Sequence, residues 1–379
     1  MIFDYETMRL IWWALLGALL IGFAITGGFD LGVAILLPFL GKNDTERRVI
    51  INTVGATWEG NQVWFVTAGG ALFAAWPMAY SVAFSGFYFA LLLTLFALFL
   101  RPVGFDYRSK LPSPIWRRNW DIALFVGGLV PALIFGVAFG NLLKGVPFHF
   151  DNEMRIFYTG SFWALLNPFS LAAGLVSLCM LIMHGAVFLQ VKTVGDINQR
   201  CKTVVTLFTI ITLVIFALAG FWVSAIDGYQ ISSAILPNAV SNPLAKTVTN
   251  AAGLWLANYG RCPVLWVIPA LAFVTGITTV LLSKLDRPGL AFISSSLTLA
   301  TIILTAGVSM FPFLIPSSSE MNSSLTVWDA SSSLATLKIM FWVTLIFLPI
   351  VLSYTTWAFR VMRGKITLEY IHQNDHTTY

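Results

Sequence analysis

Charge is scarce in this chain. Of 379 residues, 22 are Lys or Arg and 17 are Asp or Glu, so charged side chains make up only 10%. Soluble domains carry about 25%. Cysteine is scarce too. Cys179, Cys201 and Cys262 are odd in number, far apart and form no CxxC pair, which excludes a disulfide framework and a zinc site. Histidine is limited to His149, His184, His372 and His376. The net charge of +5 comes from residues scattered through short loops, with no basic patch, so nucleic acid is excluded as a partner. The first residues carry Asp4 and Glu6 and no basic run, unlike a cleavable signal peptide.

Apolar residues take the place of charge: 58% are hydrophobic and 15% aromatic. One soluble core cannot hide that much apolar surface, and disorder is excluded by the same composition. The chain reads as an all-α polytopic membrane protein, a single integral membrane domain over 1–379. A crossing helix needs about 20 mostly apolar residues. Nine stretches qualify, at about 8–40, 46–75, 79–100, 120–143, 161–190, 203–226, 263–283, 290–314 and 336–359. These runs are too long for a β-barrel and do not alternate. The second is the least apolar, since it holds Glu59, Asn61 and Gln62. Asn43 with Glu46 three residues later marks its start, and Val49 to Trp76 then reads as helix.

The basic residues orient the spans. With nine crossings, 16 of the 22 Lys and Arg fall on one side, which is therefore cytoplasmic. The N-terminus then lies outside and the C-terminus inside. The long loops at about 227–262 and 315–335 lie outside and read as ordered caps or short lids. Within the second of these, Ser324 to Ser332 reads as a capped helix start with an interfacial Trp328.

Charges inside the hydrocarbon are the first functional suspects. Asp30 follows Gly27-Gly28-Phe29, and Glu59 lies in Trp58-Glu59-Gly60-Asn61-Gln62-Val63-Trp64. At 1.5 Å per residue both stand roughly 16–18 Å from the cytoplasmic loop joining their helices. Two carboxylates at matched depth on neighbouring helices could relay protons. The alternative is a polar patch in which Asp30 or Glu59 bonds Asn61, Gln62 or a hydroxyl. The cost of burying a carboxylate favours the functional role. Gly27-Gly28 and Gly69-Gly70 read as close helix contacts. His184 is the only histidine deep in a span and fits hydrogen-bonded packing better than haem ligation. Asp106 is the only acid in the basic segment Arg101 to Lys110. It either pairs with Arg101 or Arg108, or guides protons inward.

Together these strings resemble subunit II of the cytochrome bd-type quinol oxidases. The resemblance rests on Asp4-Tyr5-Glu6, Ile11-Trp12-Trp13, Gly28-Phe29-Asp30, Asn43 to Arg48, Trp58 to Trp64, Gly69 to Pro77, Arg101 to Lys110, Phe135 to Asn141 and Phe311 to Ser318. It spans essentially the whole chain, and the Trp-Glu-Gly-Asn-Gln-Val-Trp and Gly-Gly-Ala-Leu-Phe-Ala-Ala-Trp-Pro strings are highly specific. It implies two four-helix bundles plus one additional helix in a bacterial inner membrane. The implied partner is a haem-bearing subunit I, with two b haems and one haem d, where quinol is oxidised and oxygen is reduced to water. The complex takes protons from the cytoplasm and generates proton motive force. Small accessory single-span subunits and a structural quinone occur in some members. No haem ligand or metal site is implied for this chain. Glu59, Asp30 and Asp106 map onto the family's proton-path carboxylates. One departure stands out: relatives read Asp-Gly-Phe-Asp, and this chain has Gly27 in place of the first acid. Two other readings stand beside this one, a proton-coupled transporter using Asp30 and Glu59, and a scaffold that only stabilises the haem subunit.

Overall fold

Asp4 opens the first helix, its carboxylate accepting a hydrogen bond from Thr7 N at 2.8 Å. That helix, α1, runs Tyr5–Leu40 in the computed structural model, which describes residues 3–373. At 36 residues it is about 54 Å long, well beyond the hydrocarbon thickness of about 30 Å. The side chain of His372, and His376, lie outside the described residues.

The remaining helices follow in order. On the N-terminal side are α2 (Asp44–Val54), α3 (Trp58–Ala75), α4 (Pro77–Gly86), α5 (Tyr88–Tyr107) and α6 (Pro114–Lys144). Next come α7 (Pro168–Lys192), α8 (Gly195–Val223), the short α9 (Ala257–Arg261), α10 (Val267–Lys284), α11 (Pro288–Met310), α12 (Leu334–Val361) and α13 (Leu368–Gln373). Eight of the described helices are long and apolar enough to cross a membrane. The stretch expected at 46–75 is not among them: it is broken into α2 and α3, and α3 is too polar, with Glu59, Asn61 and Gln62 in its first turns.

The break has a local cause. Thr53 Oγ1 donates to Ile50 O at 2.6 Å, and Thr57 N and Oγ1 both turn back to Val54 O. Such bonds compete with the i→i−4 ladder, and Gly55 lies between them. The expected start of α2 is present: Asn43 Oδ1 accepts from Glu46 N at 2.8 Å, and Glu46 Oε2 accepts from Lys42 N at 2.8 Å. A second discontinuity separates α4 from α5 at Phe87.

Three two-stranded antiparallel ribbons lie between the helices: β1–β2 (Phe148–Phe150, Ile156–Tyr158), β3–β4 (Asp227–Ile231, Val248–Ala252) and β5–β6 (Phe313–Ile315, Leu325–Thr326). The helix start expected at Ser324 to Ser332 is instead a strand and a turn. Asp329 folds back onto Thr326 N at 2.9 Å and Thr326 Oγ1 at 2.6 Å, and it also meets Lys246 Nζ at 3.0 Å. Those bonds commit the side chain that would otherwise cap a helix. Burial pushes the Asp329 carboxyl above its ordinary range against the pull of Lys246, and burial likewise lowers the Lys246 ammonium. α12 starts later, with Ser333 capping Thr336 N.

α1 is the hub. It packs against α3, α6, α7, α11 and α12. α5 lies on α6, and α7, α8, α10 and α11 pack on one another. The α1–α7 contact brings backbones together: a Cβ on Gly185 would stand 2.6 Å from Gly32 C. α12 differs from all of these. Only Leu337 in it is buried, although its ends are tied down by Trp12 Nε1 to Leu337 O at 3.0 Å and Lys192 Nζ to Met362 O at 2.7 Å.

Candidate functional site

Asp30 lies on the face of α1 that meets α3, and it is fully buried. Its Oδ2 accepts from Asn61 Nδ2 at 2.9 Å, while its Oδ1 has no hydrogen-bond partner among the described residues. Ten residues of helix separate it from Leu40, or about 15 Å.

Arg101 approaches from α5 and is also buried, at 1% exposure. Gly127 of α6 makes room for it, since a Cβ there would stand 2.9 Å from Arg101 Cγ. Its guanidinium carbon stands 5.8 Å from the centre of the Trp58 ring. Nε, Nη1 and Nη2 all lack a hydrogen-bond partner among the described residues. The charges of Arg101 and Asp30 attract each other without a direct bond. A guanidinium is always charged and has five donors, so this is a costly residue to leave unbonded in a membrane interior. Gln62, one residue beyond Asn61, also has a buried, unpartnered Nε2.

Glu59 does not join this cluster. It lies two residues before Asn61, which is about 200° around an α-helix, so when Asn61 faces Asp30, Glu59 faces away. It is exposed, on the same outward face of α3 as Val63, Val66, Gly70 and Phe73. The expected facing pair of carboxylates is therefore replaced by one buried acid with an amide partner and one outward acid. Gly69 and Gly70 make no close helix contact among the described residues: a Cβ on either, or on Gly60, would meet nothing within 4 Å. Gly28 does make the expected contact, against Leu181 of α7. At Gly27 a Cβ would run into the ring of Phe23, so an acid at that position requires a different packing of Phe23.

Asp106 is exposed on the last turn of α5. The local pairing considered for it is not formed among the described residues. Arg101 turns inward, and Arg108 Nε bonds Asp121 Oδ1 at 2.5 Å. Asp121 also accepts from Arg47 at 2.8 Å, and Asp44 bridges Arg108 at 3.0 Å and Arg117 at 2.5 Å. This network locks the start of α2, the end of α5 and the start of α6 together.

Arg9, Arg101 and Asp121 are buried charges that sequence reasoning missed. A signal existed. On α5, Ala90, Thr94, Ala97, Arg101 and Gly104 are buried at helical spacing, a stripe of small and polar residues that continues through the arginine. His184 is packed as expected: Nε2 donates to Ile25 O at 2.9 Å, Nδ1 lies 2.8 Å from Ser295 Oγ, and the ring stacks on Phe292. With both nitrogens engaged it does not fit a haem iron. An apolar groove of about 170 Å³ between α5 and α6 includes Asn141 in its wall. Both amide hydrogens of Asn141 are used, on Val137 O and Leu165 O, so they are not free for a quinone headgroup.

Residues 8–362 match the family model described as cytochrome bd terminal oxidase subunit II. The chain is 55% identical to cytochrome bd-I ubiquinol oxidase subunit 2 of Escherichia coli strain K12, over 99% of this chain and all of that one. It is 52% identical to the probable cytochrome oxidase subunit 2 of Haemophilus influenzae, again over 99% and 100%. It is 32% identical to cytochrome bd ubiquinol oxidase subunit 2 of Bacillus subtilis, over 94% and 96%. The fold resembles a chain in the structure of bd oxidase from Geobacillus thermodenitrificans, with a TM-score of 0.67, 16% identity, and 94% and 98% coverage.

Proposed function

The chain belongs to the cytochrome bd terminal oxidase subunit II family, and on that premise we propose that it carries the cytoplasmic proton-uptake side of the oxidase through Glu59. It is a subunit of a bd-type quinol oxidase. The single observation that carries the proposal is the outward turn of Glu59. A carboxylate on a membrane helix does not face lipid without large cost, so this face of α3 is one that another protein covers. Gly60, Gly69 and Gly70, open on the same helix, permit another helix to approach closely. α12, with one buried residue, offers further uncovered surface beside α3. We assign this surface to the haem-bearing subunit I.

In this reading α2 and α3 form one interrupted crossing, which gives nine. α1, α3, α5 and α6 form one bundle, α7, α8, α10 and α11 the other, and α12 is the additional helix. The N-terminus lies outside and the C-terminus in the cytoplasm, as the Lys and Arg distribution requires. Asp106 receives protons at the cytoplasmic end of α5. Glu59 passes them across the subunit boundary. Asp30, with Asn61 and the counter-charge of Arg101, forms the polar backing behind α3. Two b haems and haem d belong to the partner, where they supply the redox chemistry, and the engaged nitrogens of His184 support that assignment.

The test is Glu59→Gln in the assembled complex, with quinol oxidation and haem content measured together. Turnover should fall about tenfold or more at normal haem content, toward the ~10²-fold and larger losses that follow removal of a positioned proton-transfer group. Unchanged turnover at normal haem content contradicts the proton role. Loss of haem instead supports the scaffold reading.

A further inference from the structure

The segment between β3 and β4 has an unusual composition for an extramembrane loop. Residues 228–245 contain no charged side chain, and 231–245 contain no Trp or Tyr either. The loop between α6 and α7, by contrast, carries Asp151, Glu153 and Arg155. Water-exposed loops keep charges for solvation, and loops that rest in lipid headgroups favour Trp, Tyr, Lys and Arg. This one has neither set. It nevertheless exposes large apolar side chains, with Leu236 at 69% and Val240 at 88%, and with Ile235 and Leu244 beside them.

The loop is also held rigidly. The β3–β4 ribbon reaches from the end of α8 across to the first turns of α1. There Arg9, fully buried, donates to Pro237 O at 2.5 Å, Ala239 O at 3.1 Å and Ser241 Oγ at 2.9 Å. Its Nε reaches Ser331 Oγ at 2.8 Å, and its guanidinium lies over the Tyr5 ring at 3.5 Å. Glu6 N bonds Asn238 Oδ1 at 3.0 Å. Ser332 then ties this assembly to the end of α3 through Ala75 O at 2.8 Å. The loop tip is thus fixed at the outer end of the α1, α3 and α12 group, whose outward surface is uncovered.

We infer that the 235–244 tip is a preorganised docking element for the outer surface of the haem-bearing partner subunit. Depletion of charge with exposed aliphatic side chains is the composition of an interface core. Fixing the loop beforehand removes the ordering cost of association. The inference rests on the proposed α3 and α12 interface, of which the tip would be the outer continuation.

The experiment uses the intact complex with Val240→Cys. Cys262, exposed in the same chain, serves as the internal reference for a membrane-impermeant maleimide. The account expects Cys262 to react and position 240 to react at least tenfold more slowly, both in membranes and in detergent. Equal labelling overturns it. Protection in membranes that disappears in detergent also overturns it, by placing the tip in lipid. A second variant, Leu236→Asp with Val240→Asp, should lower haem recovered with the tagged chain about tenfold. If wild type itself recovers no haem, the proposed partner interface fails. If wild type and variant recover haem equally, only the docking inference fails.

Discussion

Two buried acid–arginine couples each draw their arginine from the C-terminal part of α5, and they are built differently. Asp121 and Arg108 are in direct contact at 2.5 Å, and Arg47 and Asp44 extend the network. Asp30 and Arg101 attract one another across a gap, with Oδ1 and all three guanidinium nitrogens unbonded among the described residues. The first is a clamp, in which direct ion pairs join α2, α5 and α6. In the second, the acid is held only by the Asn61 amide and the arginine by no hydrogen bond among the described residues. A direct ion pair resists the gain or loss of a proton more than a pair separated by a gap.

The comparison can be broken by mutation, beginning with the largest effect. Asp121→Asn removes the carboxylate that Arg47 and Arg108 share and leaves Arg108 only the more exposed Asp44. Breaking a buried pair this way costs about 3–5 kcal/mol, so the complex should lose thermal stability and haem together. Gly127→Ala comes next. Its Cβ meets both Ala97 O and Arg101 Cγ at 2.9 Å, and overpacking of this kind costs about 1–3 kcal/mol. The variant should change the pH profile of turnover as well as the melting temperature, because it displaces Arg101. Arg101→Gln sharpens the contrast: it should alter the pH dependence of quinol oxidation while costing less stability than Asp121→Asn. Equal stability losses would make both couples clamps.

The smallest effect concerns Glu46, which bonds Arg200 at 2.7 Å and Lys42 N at 2.8 Å. The bond to Arg200 holds its carboxyl below the ordinary glutamate value of 4.5. A depressed acid contributes stability that is full above the unfolded value and is lost as pH falls through the folded one. Glu46→Gln should therefore cost under about 1 kcal/mol near neutrality, and that cost should vanish as pH falls through the depressed folded value. Thermal melts of the complex across pH would read this.

Most of the membrane architecture was legible because a bilayer forces long apolar helices, which the sequence displays directly. Asp30 was legible for the same reason. The phase of α3 was also present in principle, since Glu59 and Asn61 are two residues apart and cannot face the same neighbour. The break at Gly55 was harder, because it depends on the Thr53 and Thr57 hydroxyls choosing backbone carbonyls. Arg101 was hidden by its position at the end of an apolar run, where basic residues ordinarily mark topology. The Arg9 clamp and the Lys246–Asp329 pair were not legible, because their partners come from loops far apart in the chain.

The central claim is that protons pass through Glu59 and not merely near it. Proton uptake by the complex reconstituted in vesicles, compared between wild type and Glu59→Gln at matched haem content, tests it most directly. The account predicts uptake slowed about tenfold or more, with haem spectra unchanged. Uptake at the wild-type rate with intact haems would contradict it.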